Sequence, residues 1–261
     1  MSMIAIVGHI LAIAIGISLG LIGGGGSILA VPILVYVMGL GTKEAIASSL
    51  AIVGAVSLIG IIPHWQNGNV KLKTAMSFIP AAVFGAFLGA KIAGLSFVTD
   101  TFQLICFSII MLLSSLFMIR KSSRNSGQPV RETVAEHRDR GWANRGWAIG
   151  LIGLGVGILT GFVGVGGGFL IIPALVLVAG IPIKKAVGTS LVIITFNSAA
   201  GFIGYLNQIA LNWNLIFSFT LAAAFGTIGG AYLTRVIDAK HLQKAFGYFV
   251  LVVALFILIK R

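Results

Sequence analysis

Gly23-Gly24-Gly25-Gly26-Ser27 lies between two apolar runs with Pro32 just beyond, and 141 residues later the chain reads Gly164-Val165-Gly166-Gly167-Gly168 before Pro173. Glycine loses more conformational freedom in a helix than any other residue, so four in succession end a helix instead of continuing it. Two such breaks at matching places inside hydrophobic sequence predict helices interrupted at membrane depth. There the freed backbone groups are tolerated only where they line a cavity or face a substrate.

The surrounding composition fits that setting. Hydrophobic residues make up 58% of the 261, charged residues only 9%, and the mean hydropathy is +1.07, whereas a soluble domain carries about 25% charged residues. An all-α, polytopic integral membrane protein is expected. Apolar runs near the roughly 20 residues that a bilayer core requires lie at 4–22, 45–62, 70–92, 101–119, 148–163, 185–204, 214–235 and 241–259, giving about 8 transmembrane helices. The shorter runs after the glycine clusters, 28–40 and 168–180, read as half-helices or hairpin arms. Met1-Ser2-Met3 provides no basic n-region and no cleavage site follows, so the first segment is expected to stay in the mature protein. Cys106 is the only cysteine, which excludes an internal disulfide and a multi-cysteine metal site. The net charge of +12 does not point to nucleic acid, because the basic residues sit between apolar runs, where they orient a chain in a bilayer.

Sliding the sequence against itself by 141 aligns 1–120 with 142–261 without a gap. Glycines coincide at Gly16/Gly157, Gly20/Gly161, Gly23/Gly164, Gly25/Gly166, Gly26/Gly167, Gly39/Gly180, Gly60/Gly201, Gly85/Gly226 and Gly89/Gly230. Pro32/Pro173, Lys43/Lys184, Ser49/Ser190 and Leu50/Leu191 match as well. A shared membrane composition does not produce a gapless register, so two homologous transmembrane repeats, 1–120 and 142–261, are expected. The polar stretch 121–141 joins them and, with Arg120 and Arg145 at its edges, carries seven basic residues, which makes it a cytoplasmic linker by the positive-inside rule. If each half crosses an odd number of times the repeats are inverted, both termini lie outside, and the basic residues divide 14 inside to 4 outside; parallel repeats would divide them 11 to 7. Inverted repeats are therefore expected.

The six carboxylates, Glu44, Asp100, Glu132, Glu136, Asp139 and Asp238, all fall in or beside loops, and no lysine or arginine sits mid-membrane. A carboxylate proton relay or cation site of the usual kind has no residues here. What remains at depth is backbone, hydroxyl and amide, an inventory that suits a small anion. Helix N-termini leave several N–H groups unpaired and carry partial positive charge, so broken helices starting at Ser27 and Gly168 would converge on an anion without a basic side chain. Gly23, Gly24, Gly25, Gly26, Gly164, Gly166 and Gly167 would allow close backbone approach. Ser48, Ser49, Thr189 and Ser190, one turn into the next helices, would add hydroxyl donors, and Asn197 an amide. Gly85/Gly89 and Gly226/Gly230 form small-xxx-small patterns and read as packing positions. His64, between Pro63 and Trp65 at the end of an apolar run, reads as interfacial. The glycine clusters follow no strand, complete no dinucleotide fingerprint and precede no Lys-Ser or Lys-Thr, so neither nucleotide binding nor a P-loop pump is expected. No catalytic, metal-binding or cofactor-binding group is expected.

These residues resemble the toluenesulfonate uptake permease family, also called the sulfite exporter (TauE/SafE-like) family. The signature is the paired glycine break, each copy followed by a helix start of related pattern, Ala45-Ile46-Ala47-Ser48-Ser49-Leu50 and Ala186-Val187-Gly188-Thr189-Ser190-Leu191. The likeness covers the chain apart from the linker. It implies a bacterial or archaeal inner-membrane permease moving small sulfur-containing or organic anions, such as sulfite, sulfonates or sulfoacetate, by secondary transport. The partners expected are that anion, the lipid bilayer, a coupling ion (proton or sodium) and a second copy in a homodimer, with no nucleic acid. Val165 where the first break has Gly24, and Gly168 where it has Ser27, imply unequal contributions from the two breaks. A passive anion channel lined by the same residues stays open, as does a non-transporting assembly subunit, whereas an intramembrane enzyme would need a carboxylate pair, Ser-His pairing or metal cluster that the apolar runs lack.

Overall fold

The computed structural model describes residues 3–95, 98–124, 146–164, 166–177, 179–206, 209–233, 248 and 251–259. Its helices are α1 (Met3–Ile22), α2 (Ser27–Tyr36), α3 (Thr42–Gln66), α4 (Leu72–Ala93), α5 (Asp100–Arg124), α6 (Gly146–Val163), α7 (Gly168–Leu177), α8 (Ile183–Tyr205) and α9 (Trp213–Leu233). Residues 251–259 are helical as well, and no strand occurs among the described residues. Residues 121–124 of the expected linker complete α5; the rest of the linker, and most of 234–250, lie outside the described residues.

Among the described residues four helices are long and apolar enough to cross a membrane: Thr42–Gln66, Leu72–Ala93, Lys184–Tyr205 and Trp213–Leu233. Shorter apolar stretches run Ile6–Ile22, Ser27–Tyr36, Asp100–Leu113 and Gly150–Val163. Phe84, Leu113, Phe217 and Phe225 stand at least 60% exposed around the outside. A soluble monomer rarely presents so much large apolar surface, whereas lipid tails solvate it at no cost.

The breaks fall where glycine demands them. Helix α1 ends at Ile22, Gly23 turns with φ of 71°, and α2 begins at Ser27. Helix α2 then runs back along α1: a Cβ on Gly26 would overlap the Ile15 carbonyl, and one on Gly8 would lie 2.6 Å from Met38 Sδ. At ten residues α2 is about 15 Å long, half the hydrocarbon thickness of a bilayer. Helices α6 and α7 repeat the arrangement, with Gly164 at φ of 77° and Gly167 seated on Thr160 of α6.

Helices α3 and α8 form the centre and pass each other antiparallel. Gly54 packs on Ser198, Gly60 on Leu191, and His64 on Gly188. Ile46, Leu50, Val53, Leu191, Ile193 and Ile194 fill this buried centre, with Ser49, Ser57, Ser190, Asn197 and Ser198 buried among them. Two seams of small residues close the outside. On one, Gly85 and Gly89 of α4 meet the Leu154 and Ile158 carbonyls of α6, while Gly157 and Gly161 of α6 meet those of Ala82 and Ala86. On the other, Gly226 and Gly230 of α9 meet the Ile13 and Ile17 carbonyls of α1, while Gly16 and Gly20 meet those of Ala223 and Thr227. A Cβ at any of these glycines would overlap a backbone oxygen, so the helices touch backbone to backbone. Apolar lipid supplies no hydrophobic drive between helices, and close van der Waals packing replaces it.

Candidate functional site: two glycine breaks that meet

The breaks belong to distant parts of the chain, yet Gly24 and Gly168 touch backbone to backbone, and a Cβ on either would overlap the other. Gly23 lies against Val187 at the start of α8, and Gly164 against Ile46 at the start of α3. Gly166, at φ of 64°, lies among Ser198, Val53 and Ile194 near the middle of the α3–α8 pair. The whole first cluster, Gly23 to Ser27, is buried, as are Gly164, Gly166, Gly167 and Gly168.

Two hydrogen bonds cross between the breaks and the opposite helix starts. Ser49 Oγ shares its one proton between the carbonyls of Ile46 (2.8 Å) and Gly164 (2.5 Å), the shorter contact being across the break. Ser190 Oγ donates to those of Val187 (2.7 Å) and Gly23 (2.6 Å). Each serine therefore satisfies a carbonyl left over where α1 or α6 ends, at a depth where water does not supply the proton. The next residues of each break begin α2 or α7, where the N–H groups of Leu29 and Leu170 bond back to the carbonyls of Gly26 and Gly167 and those ahead of them have no intrahelical acceptor. Gly26 caps α2 without any side-chain hydrogen bond, and no acidic residue sits in the first turn of α2 or α7. The positive ends of these two helices are thus left without a protein counter-charge at their first turns.

The hydroxyls expected from sequence fall into three groups. The protons of Ser49 and Ser190 are committed to carbonyls, and that of Ser27 goes to the Gly24 carbonyl at 2.8 Å, so in this conformation none of the three donates to an anion. Thr189 is not brought to the breaks by any of its bonds: it donates to the Lys185 carbonyl (2.6 Å) and accepts the Lys71 N–H (2.9 Å), tying α8 to the α3–α4 connection. Ser48 and the second N–H of the Asn197 amide remain available as donors. Ser48 Oγ has no partner among the described residues, and Asn197 donates through Nδ2 to Thr160 Oγ1 (2.6 Å) while its Oδ1 stays unpaired.

His64 corrects an expectation. It is 2% exposed, packed inside the protein and not facing outward, with Nε2 3.0 Å from the Gly20 carbonyl of α1. Tyr205 lies 141 positions later, is fully buried, and donates to the Phe162 carbonyl of α6 at 3.2 Å. Gln103 Nε2 bonds the same carbonyl at 2.6 Å and the Tyr205 hydroxyl at 2.9 Å. The last turns of α1 and α6, just ahead of the breaks, are therefore each held by a polar side chain from the far end of α3 or α8. His64 and Tyr205 differ in residue type, so a search for identical pairs passes over them; their common spacing is the signal that finds them.

A family model for the sulfite exporter TauE/SafE matches residues 9–257. The chain belongs to the sulfite exporter TauE/SafE family. A probable membrane transporter protein of Xylella fastidiosa (strain 9a5c) is 31% identical over 247 residues, covering 94% of this chain and 91% of its own. The probable membrane transporter protein YdhB of Bacillus subtilis (strain 168) is 26% identical over 232 residues, covering 88% and 91%. The probable membrane transporter protein YunE of the same organism is 28% identical over 238 residues, covering 85% of each. No solved structure matches the chain. A TauE/SafE chain with this helical make-up is a multi-pass membrane transporter and not an enzyme.

Proposed function

We propose that this TauE/SafE member is a secondary transporter of small anions, with sulfite, sulfoacetate and related sulfonates as its substrate class, working in the inner membrane by alternating access around the paired glycine breaks. The observation that carries the proposal is the meeting of the two breaks at Gly24 and Gly168, which brings together in the buried centre the starts of α2 and α7, neither with an acidic residue in its first turn. Backbone N–H groups and helix dipoles hold an anion without fixed positive charge, which suits a solute that must also leave. Coupling is to a proton or sodium gradient.

In this reading the two halves are inverted repeats. The crossed Ser49–Gly164 and Ser190–Gly23 bonds, the two glycine seams, and the start of α7 141 residues after that of α2 all exchange with one another under one register, as a pseudo-two-fold axis in the membrane plane would require. The linker lies in the cytoplasm and both termini outside.

Gly25→Val and Gly166→Val test the assignment. Valine at Gly166 would force an L side chain into positive φ against Ser198 and Val53. Both variants are expected to insert in the membrane yet lose at least about tenfold in anion uptake by proteoliposomes, the effect of misplacing one charge-assisted contact. Near-normal uptake by both would refute the site. In a thermal-shift screen of purified protein against sulfite, thiosulfate, sulfoacetate, taurine and simple carboxylates, the transported anion is expected to raise the midpoint with rising concentration.

A further inference from the structure

Two buried hydroxyls outside the expected set bear on the same centre. Ser57 of α3 and Ser198 of α8 stand 141 positions apart, both are fully buried, and neither Oγ has a hydrogen-bond partner among the described residues. A helical serine or threonine has a ready acceptor in the carbonyl one turn back, which Ser18 and Ser48 also leave unused. Ser108 uses that of Leu104, Ser115 that of Leu112, and Thr195 that of Leu191. Ser57 and Ser198 leave theirs unused, and a buried hydroxyl without a partner costs free energy that a ligand would return.

Their placement gives the direction. Ser198 Oγ points at the second break, 2.7 Å from where a Cβ of Gly166 would stand, and Asn197 beside it borders Gly167. From the other side Val53 and Gly54 of α3 face Gly166 and Ser198. Ser57 is one turn beyond them on the same face of the helix. The start of α7, the break it follows and Ser198 therefore meet, and Ser57 follows one turn farther along the facing helix.

We propose that Ser57 and Ser198 are substrate-contacting, specificity-determining residues, donating from opposed helices to two different oxygens of a multi-oxygen anion whose negative head lies at the α7 start. This rests on the anion-transport reading. Two opposed hydroxyl donors match an oxyanion with at least two free oxygens, each oxygen accepting one of them. Ser198 serves the second break with Asn197 beside it, whereas the position matching Asn197 in the first half is Val56, so the second break carries more of the recognition.

The test is concentration-dependent uptake of sulfite, thiosulfate, sulfoacetate and taurine by proteoliposomes of the full chain, comparing wild type with Ser57→Ala, Ser198→Ala and Ser198→Cys. For each oxyanion that wild type transports, both alanine variants are expected to raise KM by about tenfold or more with little change in maximal rate, as losing a hydrogen bond to a charged group does. Cysteine keeps the size but donates weakly, so Ser198→Cys should behave like Ser198→Ala and thereby exclude a purely steric effect. A wild-type KM in both alanine variants, or a loss of maximal rate with KM unchanged, overturns the assignment. If Gly166→Val abolishes uptake while the serine variants match wild type, the serine assignment alone falls. If wild type moves none of the four, the transport reading fails and this one with it.

Discussion

Ser49 and Ser190 show how a residue type is legible while its task is not. Their equivalence follows from the 141-residue register, and a serine beside a helix start suggests a donor. Its direction depends on which carbonyl lies within reach, and that acceptor comes from the other half of the chain. Since each serine closes a carbonyl that would otherwise be buried bare, Ser49→Ala and Ser190→Ala are expected to destabilise by about 1–3 kcal/mol each, read as a lowered unfolding midpoint in detergent. Midpoints equal to wild type would mean that the carbonyls find other donors. The burial of His64 is hidden from sequence for a related reason. Proline and tryptophan flanks and a run's end resemble a membrane boundary, but packing of α1 and α8 over the end of α3 buries the ring. The glycine clusters were the easiest residues to read, because a run that cannot sustain a helix announces a break without any knowledge of its neighbours.

At the scale of elements, the small-xxx-small spacing marked which glycines pack, but not against what, because spacing along one helix carries no information about its partner. The structure pairs α4 with α6 and α1 with α9, and it separates neighbouring glycines by role. Gly230 lies on the Ile17 carbonyl, whereas Gly229 and Gly155 have open space where a Cβ would go. Gly230→Ala and Gly161→Ala should therefore push a seam apart and lower the yield of folded protein. Gly229→Ala and Gly155→Ala should be neutral or stabilising by up to about 1 kcal/mol, the intrinsic helix preference of alanine. Yield and midpoint measured across the four variants check the contrast, and equal behaviour of Gly229→Ala and Gly230→Ala would contradict it. Helices α2 and α7 were legible as half-length elements because each glycine cluster fixes a start and the short apolar run fixes a length.

For the whole molecule, orientation is the expectation that rests most on charge. In a Cys106→Ala background, cysteines placed at Gln128 and at Lys184 should both react with an impermeant maleimide only from the cytoplasmic side; reaction at 184 from the side opposite to 128 would make the repeats parallel and end the inverted arrangement. Which helix pairs with which was illegible, because the seams join residues far apart in sequence. That interlocking has a consequence during synthesis. Translation at about 5–20 residues per second delivers α9 roughly 10–40 s after α1 has left the ribosome. Through that interval α1 sits in the membrane with its glycine stripe uncovered, as α4 does for the shorter time until α6 is made, each exposed to any passing helix with small residues of its own. Biogenesis of this chain therefore calls for a sheltered site at the insertion machinery, and a nascent chain stalled in the linker would be a substrate for membrane quality control.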